Sequence, residues 1–472
     1  MIGAGLAGLS AGILLARDGH DVTVLERDPA PVPADPRAAF SGWKRPGVNQ
    51  FGLIHLNLPL WRQLVEEELP DLLPRLLQAG GLRFNALDAF PAARDAFRTD
   101  EGYPPQDTRF ETVTARRPVL EAVLAGLAEE TPGVSVHRGE RVTGLLATPA
   151  VPPQVTGVGT ASGRTWNADL VVDATGRRSR LPTWLSDAGL PSPVEQVAAA
   201  GSVYFSRHFA SANGSLPELL GGTMQPYHGL SLITLPADAG TWSVAFVGHS
   251  ADSGLLALRD PEVWSGALSQ YPLVAHWGTS GRPLTPGVSM MAAIEDRGRS
   301  LVRDGEPLVS GLVLLGDSWA CTDPTLGRGS SLALLHARCL RDSLREVEPG
   351  ADPAALAAGF DARSETVLGP IVRRSWWYVR HRLAEMKADF EGVEGTADDA
   401  WREVQAARTA ELMDAELARG LAGGAYLLLP ADRAFEAPEL VSGRIMSLAG
   451  AAGPYPLPGP RRQELRLQPP WR

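Results

Sequence analysis

Between Leu6 and Ala16 the apolar residues Leu9, Ile13, Leu14 and Ala16 recur at the spacing of one helix face, and the pattern ends near Asp18-Gly19-His20. It then changes to a short strand at 21–25, closed by Glu26. Two runs with the character of buried strands stand far downstream, at 168–173 and 311–315, and each enters a glycine turn. A helical run, 331–344, follows the second. Between them apolar residues alternate or cluster in short runs at 202–209, 229–235 and 241–247, the last two joined by a turn at 236–240. This change of period predicts a sheet-rich insertion. Helical spacing returns at 353–379 and 397–420, whereas the Pro-rich polar tail from Pro454 reads as loosely ordered. No internal repeat is evident.

Composition narrows the function classes. The 472 residues carry 44 Lys+Arg against 54 Asp+Glu, a formal charge of −10, which argues against a nucleic-acid partner because such proteins cluster positive charge. Cys321 and Cys339 form no CxxC or Cys/His cluster, so neither a disulfide framework nor a metal site is expected, and a reducing, cytoplasmic setting is. The uncharged first sixteen residues lack the basic lead of a signal peptide and are too short to span a bilayer; the apolar run 421–430 is shorter still. No stable membrane insertion is expected.

The uncharged opening has a better explanation in nucleotide binding. Gly3-Ala4-Gly5-Leu6-Ala7-Gly8 is GxGxxG, followed in order by helix, strand and acid. In that arrangement Gly3 permits the tight turn, Gly5 lets the backbone approach a pyrophosphate, and Gly8 lets the helix pack on the sheet. The free N–H groups of the helix start attract phosphate charge. Glu26 can accept from a ribose 2′-OH and would repel a 2′-phosphate, which favours FAD or NAD over NADP. Only Met1 and Ile2 precede Gly3, where a strand of about five residues is expected. The expectation is a start a few codons upstream, since a missing central strand would leave its neighbours unpaired.

Taken with the downstream turns Asp173-Ala-Thr-Gly176 and Gly316-Asp317, and with Asp323-Pro324-Thr-Leu-Gly327-Arg328-Gly329, the chain resembles the flavin-dependent monooxygenases of the p-hydroxybenzoate hydroxylase type. That group is related to squalene epoxidases, flavin halogenases and geranylgeranyl reductases. The resemblance extends over about residues 1–345. It implies an α/β fold: a Rossmann-like FAD-binding domain with an inserted β-sheet substrate domain and a C-terminal helical region. The expected division is 1–180 and 306–345 for the FAD-binding domain, 181–305 for the substrate domain, and 346–472 for the helical region and tail.

Site residues follow from the same resemblance. The ADP part of FAD is expected against Gly3, Gly5, Leu6, Ala7, Gly8, Glu26 and Arg27, with Val142 flanking it. Asp173 and Gly176 are expected near the pyrophosphate, and Gly316-Asp317 on the ribityl chain. Arg117, in Arg117-Pro-Val-Leu-Glu121, is expected to reach the pyrophosphate, and Pro118 suits the first turn of a helix. Arg45 and Pro324 are expected near the flavin ring, with Gly327, Arg328 and Gly329 along it. A solvated surface role is the alternative for Arg45 and Arg117, and His55 is open between pocket and packing. Tyr204 and Arg207 point to opposite faces of one strand, so only one can line a pocket. Segment 373–382 holds four arginines and three aromatics; it either seats an anion or packs its aromatics inward and lets its arginines snorkel. His336 reads as a packing or surface residue.

The implied reaction transfers one oxygen atom from O2 to an aromatic or olefinic small molecule, with NAD(P)H as reductant and a C4a-hydroperoxyflavin as the oxygen donor. The alternatives are an FAD-dependent reductase or dehydrogenase without oxygen insertion, and a non-catalytic flavin-fold binding protein. Halogenation is disfavoured because no Trp-x-Trp-x-Ile-Pro segment is present. The oligomeric state is not legible.

Overall fold

The computed structural model describes residues 1–472 except 49, 349, 394, 396, 397, 429–438 and 469–472. Part of the apolar run 421–430 and the first residue of the predicted helix 397–420 therefore lie outside the described residues. A parallel sheet stands behind the glycine turn. Val22–Glu26 pairs with Val134–Arg138, and Leu312–Leu314 pairs with Val171–Asp173. Ile2 joins the two pairs, bridging Leu25 on one side and Asp173 on the other. Its amide donates to the Val172 carbonyl at 2.8 Å and the Gly3 amide donates to the Leu25 carbonyl at 2.8 Å. The expected loss of pairing is thus not complete: Met1 to Gly3 carry the ladder at the end of the sheet where the glycine turn begins.

Helices Leu6–Arg17 and Gly329–Glu346 pack on this sheet, with Arg117–Glu130 beside them. Residues 8–15 of the first helix are all buried, because it lies between the sheet and a second layer of helix. An all-round apolar sequence is what such a position requires.

The insertion is an antiparallel sheet in the order Met224–Tyr227, Leu230–Pro236, Thr241–His249, Ser202–Ala210. Its strands are buried on both faces, and the two-residue period divides them. Val203, Phe205, Phe209, Leu230, Leu232, Trp242, Val244 and Phe246 pack with Trp264, Tyr271 and Trp277 on one side. Tyr204, Ile233, Leu235 and Val247 face the other way, toward Ile54, Leu56, Met224 and Met291.

The C-terminal helices are shorter than the periodicity predicts. Run 353–379 divides into Pro353–Val367 and Gly369–Glu391, with Pro370 opening the second helix, where a missing N–H costs nothing. Run 397–420 divides into Asp399–Ala410 and Ala415–Ala425, the second capped by Asp414, which accepts from the Glu416 and Leu417 amides at 3.1 Å. The tail is not loose over 454–468. Leu465 is buried in the core beside the antiparallel sheet, and Arg462 donates to Asp252 at 2.5 and 2.9 Å. Among the described residues no helix is long and apolar enough to cross a membrane.

Candidate functional site

A single cavity of about 1200 Å³ runs from the first glycine turn, beneath the antiparallel sheet, to the C-terminal helices. Gly3, Gly5, Leu6, Ala7, Glu26, Arg27, Arg45, Arg117 and Val142 line one end. Gly176, Asp317, Pro324, Gly327, Arg328 and Gly329 line its middle. Gly8, Asp173 and Gly316 do not face it; their place is behind the wall.

The glycine-turn end has the features a dinucleotide phosphate needs. No side chain caps the helix that begins at Leu6, so its first amides are left for a ligand. A Cβ added at Gly5 would meet nothing within 4 Å, which leaves open space against bare backbone. Glu26 is buried beside it, accepting from the Ala4 amide at 3.0 Å and the Asp28 amide at 2.9 Å.

Arg45 belongs to this end and not to the Pro324 turn with which the sequence paired it. Its guanidinium is ion-paired with Glu26, donates to Glu121 at 2.7 Å and to the Ala4 carbonyl at 2.9 Å. Three carboxylates within reach of one cation, Glu26, Glu121 and, at 3.9 Å, Asp28, explain the difference, because a buried guanidinium goes where its charge is met. Neither Arg45 nor Arg117 is a solvated surface residue. Arg117 donates to Glu121 at 2.7 Å and to Gln50 at 2.9 Å and also faces the cavity. Glu121 is fully buried between the two arginines. Its spacing of four from Arg117 was the signal for it in the sequence. Arg116, one residue earlier, turns away and clamps Asp238 of the sheet hairpin at 2.6 Å.

Asp173 organises two turns. Its carboxylate accepts from the Thr175 amide and hydroxyl at 2.9 and 2.6 Å and from the Ser179 hydroxyl, while Ser318 accepts from the Gly176 amide at 2.8 Å. Gly316 is held from the helix behind it, its amide donating to His336 Nδ1 at 3.0 Å. The other ring nitrogen of His336 lies 2.9 Å from Ser364 Oγ, which donates to the Phe360 carbonyl at 2.6 Å. With Nδ1 accepting, Nε2 must carry the proton. His336 is therefore a packing residue with a positioning role.

Burial holds His336 at about 3, His55 at about 3 and His208 at about 4, all below the ordinary 6.5. A base whose folded pKa is depressed loses its contribution to stability as pH falls from the unfolded value toward the folded one, since the unfolded chain then takes up more protons. His336→Leu is expected to lose about 1–3 kcal/mol at neutral pH through the orphaned Gly316 amide. It should also show a shallower further loss between pH 6.5 and 4 than the parent. Urea denaturation at the two pH values checks both; a parallel loss in parent and variant would refute the second.

Asp317 is part-exposed in the cavity, with Arg177 Nε 3.9 Å away. Arg177 is anchored by the Thr322 carbonyl at 2.9 Å. Asp296, buried nearby, is pushed up to about 7, chiefly by burial and then by the Asp323 carboxylate. Asp323 itself caps the Pro324 turn, accepting from the Thr325 amide at 2.9 Å. The Tyr204 hydroxyl donates to Asp323 and touches the Thr325 hydroxyl, tying the sheet to that turn. Of the strand's two candidates, Tyr204 lines the cavity. Arg207 lies on the opposite face, over the Phe209 and Trp264 rings and 3.2 Å from Ser265 Oγ. Burial pushes the Tyr204 phenol well above its ordinary range, so it is a neutral donor.

The far end comes from the C-terminal helices, of which the sequence named only segment 373–382, as one that either seats an anion or packs inward. Arg374, Tyr378, Arg408, Glu411 and Tyr426 line it. Of the four arginines in 373–382, Arg373 and Arg380 are exposed as snorkelling predicts, but Arg382 is buried and donates to the Tyr227 and Leu230 carbonyls at 2.7 and 2.6 Å.

Known proteins resemble this chain in sequence and in fold. Protein Rv3254 of Mycobacterium tuberculosis is 27% identical over 374 residues, 73% of this chain and 72% of that protein. A flavoprotein/dehydrogenase from Cytophaga hutchinsonii shares the fold with a TM-score of 0.60 at 15% identity, over 94% of this chain and 98% of its own. PqsL of Pseudomonas aeruginosa, solved in complex with 2-aminobenzoylacetate, does so with a TM-score of 0.59 at 17% identity, over 82% of this chain and 95% of its own. The sequence model of the FAD dependent oxidoreductases matches residues 1–332, from the glycine turn through the Gly-Asp turn to the helix behind it, and the chain belongs to that family.

Proposed function

We propose that this FAD-dependent oxidoreductase is a monooxygenase that inserts one oxygen atom from O2 into an aromatic or olefinic small molecule, using NAD(P)H as reductant. The residues fit the cofactor: the uncapped helix start and Arg117 suit the pyrophosphate, Glu26 a ribose, Asp317 the ribityl chain, and the 324–329 turn the ring. The chemistry supplied by FAD, when bound, is two-electron uptake from NAD(P)H and activation of dioxygen.

The observation that carries the reading is the roof. Tyr204, Ile233, Leu235, Met224 and Met291 present an apolar face above the Pro324 turn, with Ile54 and Leu56 beside it. Such a surface holds a flat apolar substrate and keeps water from the reacting atoms. Tyr204 fixes the roof to the turn through Asp323, which sets the height available to the substrate. Amides at the start of helix Gly329–Glu346, where no side chain caps the end, can stabilise negative charge gathering beside them. A small molecule bound by the neighbour PqsL supports an aromatic substrate class.

The test is turnover of an aromatic and olefinic panel under isotopically labelled dioxygen, with NAD(P)H and O2 counted together. Label in the product, with one O2 consumed per NAD(P)H, is expected. Product formed without label would favour two-electron reduction or oxidation instead.

A further inference from the structure

Where the middle of the cavity meets its far end, the described residues carry more positive charge than the acids beside them match. Arg328 is 5% exposed; it donates to the Ser375 hydroxyl at 2.7 Å, and its Nε has no partner. The arginines nearest to it, Arg374 and Arg408, both repel it, and burial together with that repulsion lowers its pKa to about 10. Arg374 has Glu403 near it, and Arg408 lies 3.6 Å from Glu411 and 3.3 Å from the Tyr378 hydroxyl. Among the described residues three guanidiniums thus meet two carboxylates here, and Arg328 is the one with no carboxylate beside it. Further along the wall, Glu416 and Arg444 are matched by Arg419 and Asp414. A desolvated cation with no counter-charge is expensive, and replacing it by a neutral group costs nothing in charge pairing.

The position of this charge is informative. Arg328 stands between Gly327 and Gly329, at the turn that faces the apolar roof, and its side chain reaches the helix Gly369–Glu391 through Ser375. A flat molecule lying over the turn would have its polar end at this cluster.

We infer that the cluster is a subsite for the anionic group of the substrate, a carboxylate on an aromatic ring, with Arg328 bonding it and Arg408 and Arg374 supplying supporting charge. The Arg328 guanidinium borders the cavity, and a planar guanidinium suits a carboxylate, which accepts N–H bonds on both oxygens. The inference rests on the proposed function for the substrate's position over the turn, but it does not depend on oxygen transfer.

Calorimetric titration of the FAD-loaded protein with benzoate and with benzamide, its neutral counterpart of the same shape, tests it. The parent is expected to prefer benzoate by at least about tenfold. Arg328→Gln should reduce that preference to about one, and should unfold on heating no earlier than the parent, because an unmatched cation has been removed. Arg328→Lys keeps the charge and should keep most of the preference. Absence of a preference in the parent, its persistence in Arg328→Gln, or its loss in both variants would overturn the inference. Oxygen transfer is not read in this assay, so a failed labelling experiment would leave a benzoate preference standing.

Discussion

Glu121→Ala is expected to destabilise the protein by about 3–5 kcal/mol, a large part of the 5–15 kcal/mol by which a typical domain is folded. The carboxylate is fully buried and receives Arg45 on one oxygen and Arg117 on the other, each at 2.7 Å. Its removal leaves Arg45 with Glu26 and a more distant Asp28, and Arg117 with only a neutral glutamine, in a place where water does not replace the lost charge. Because both arginines also line the cavity, FAD retention should fall with stability. Glu121→Gln preserves the shape without the charge and should lie between alanine and the parent. Denaturant titration with flavin release measured in parallel checks this. A loss below about 1 kcal/mol for the alanine variant would mean that the cluster is solvated and weak.

The second large effect concerns the close approach at Gly8. A Cβ there would sit 2.1 Å from the Gly3 carbonyl oxygen and 3.2 Å from the Ala174 side chain. Both obstacles belong to the sheet end that carries the glycine turn, so Gly8→Ala must push the helix off the sheet. The expected cost is about 1–3 kcal/mol or more, with loss of tight flavin binding because the helix amides move away from the phosphate. Gly12, one turn later in the same helix, is the control: a Cβ there would make ordinary contacts of 3.6 and 3.7 Å with Val22 and Val24. Gly12→Ala should be neutral or gain up to about 1 kcal/mol, as a helix-interior glycine ordinarily does. Thermal melts and flavin occupancy of the two variants would decide it; equal behaviour would remove the close-packing argument.

How far the site was legible depends on what kind of constraint each residue answers. Gly3, Gly5 and Gly8, the strand ending in Glu26, and the turns at Asp173 and Asp317 are local requirements of backbone and hydrogen bonding, so they leave a local trace. The alternation in 202–209 likewise separated Tyr204 from Arg207, and the structure decides which faces the cavity. Arg45 had no such trace: its partners Glu26 and Glu121 are far apart in sequence and meet it only after the sheet and the helix Arg117–Glu130 are packed together. The same holds for Arg374, Tyr378 and Arg408, whose helical spacing says which face is buried but not against what. Pro454 onward read as loose because its composition is polar, while burial of Leu465 and the Arg462–Asp252 pair order it by contacts with a sheet two hundred residues earlier. Gly8, Asp173 and Gly316 show the converse, being legible as motif positions whose work is to shape the wall.

The most direct test of the account is the visible spectrum of the purified protein supplied with FAD, followed in one cuvette by anaerobic NAD(P)H and then by air. The account predicts a bound flavin that bleaches with reductant and regains its colour with oxygen, and that is retained less well when Asp317 is replaced by alanine. A protein that stays colourless after FAD is added, or a bound flavin that neither NADH nor NADPH bleaches, would contradict it.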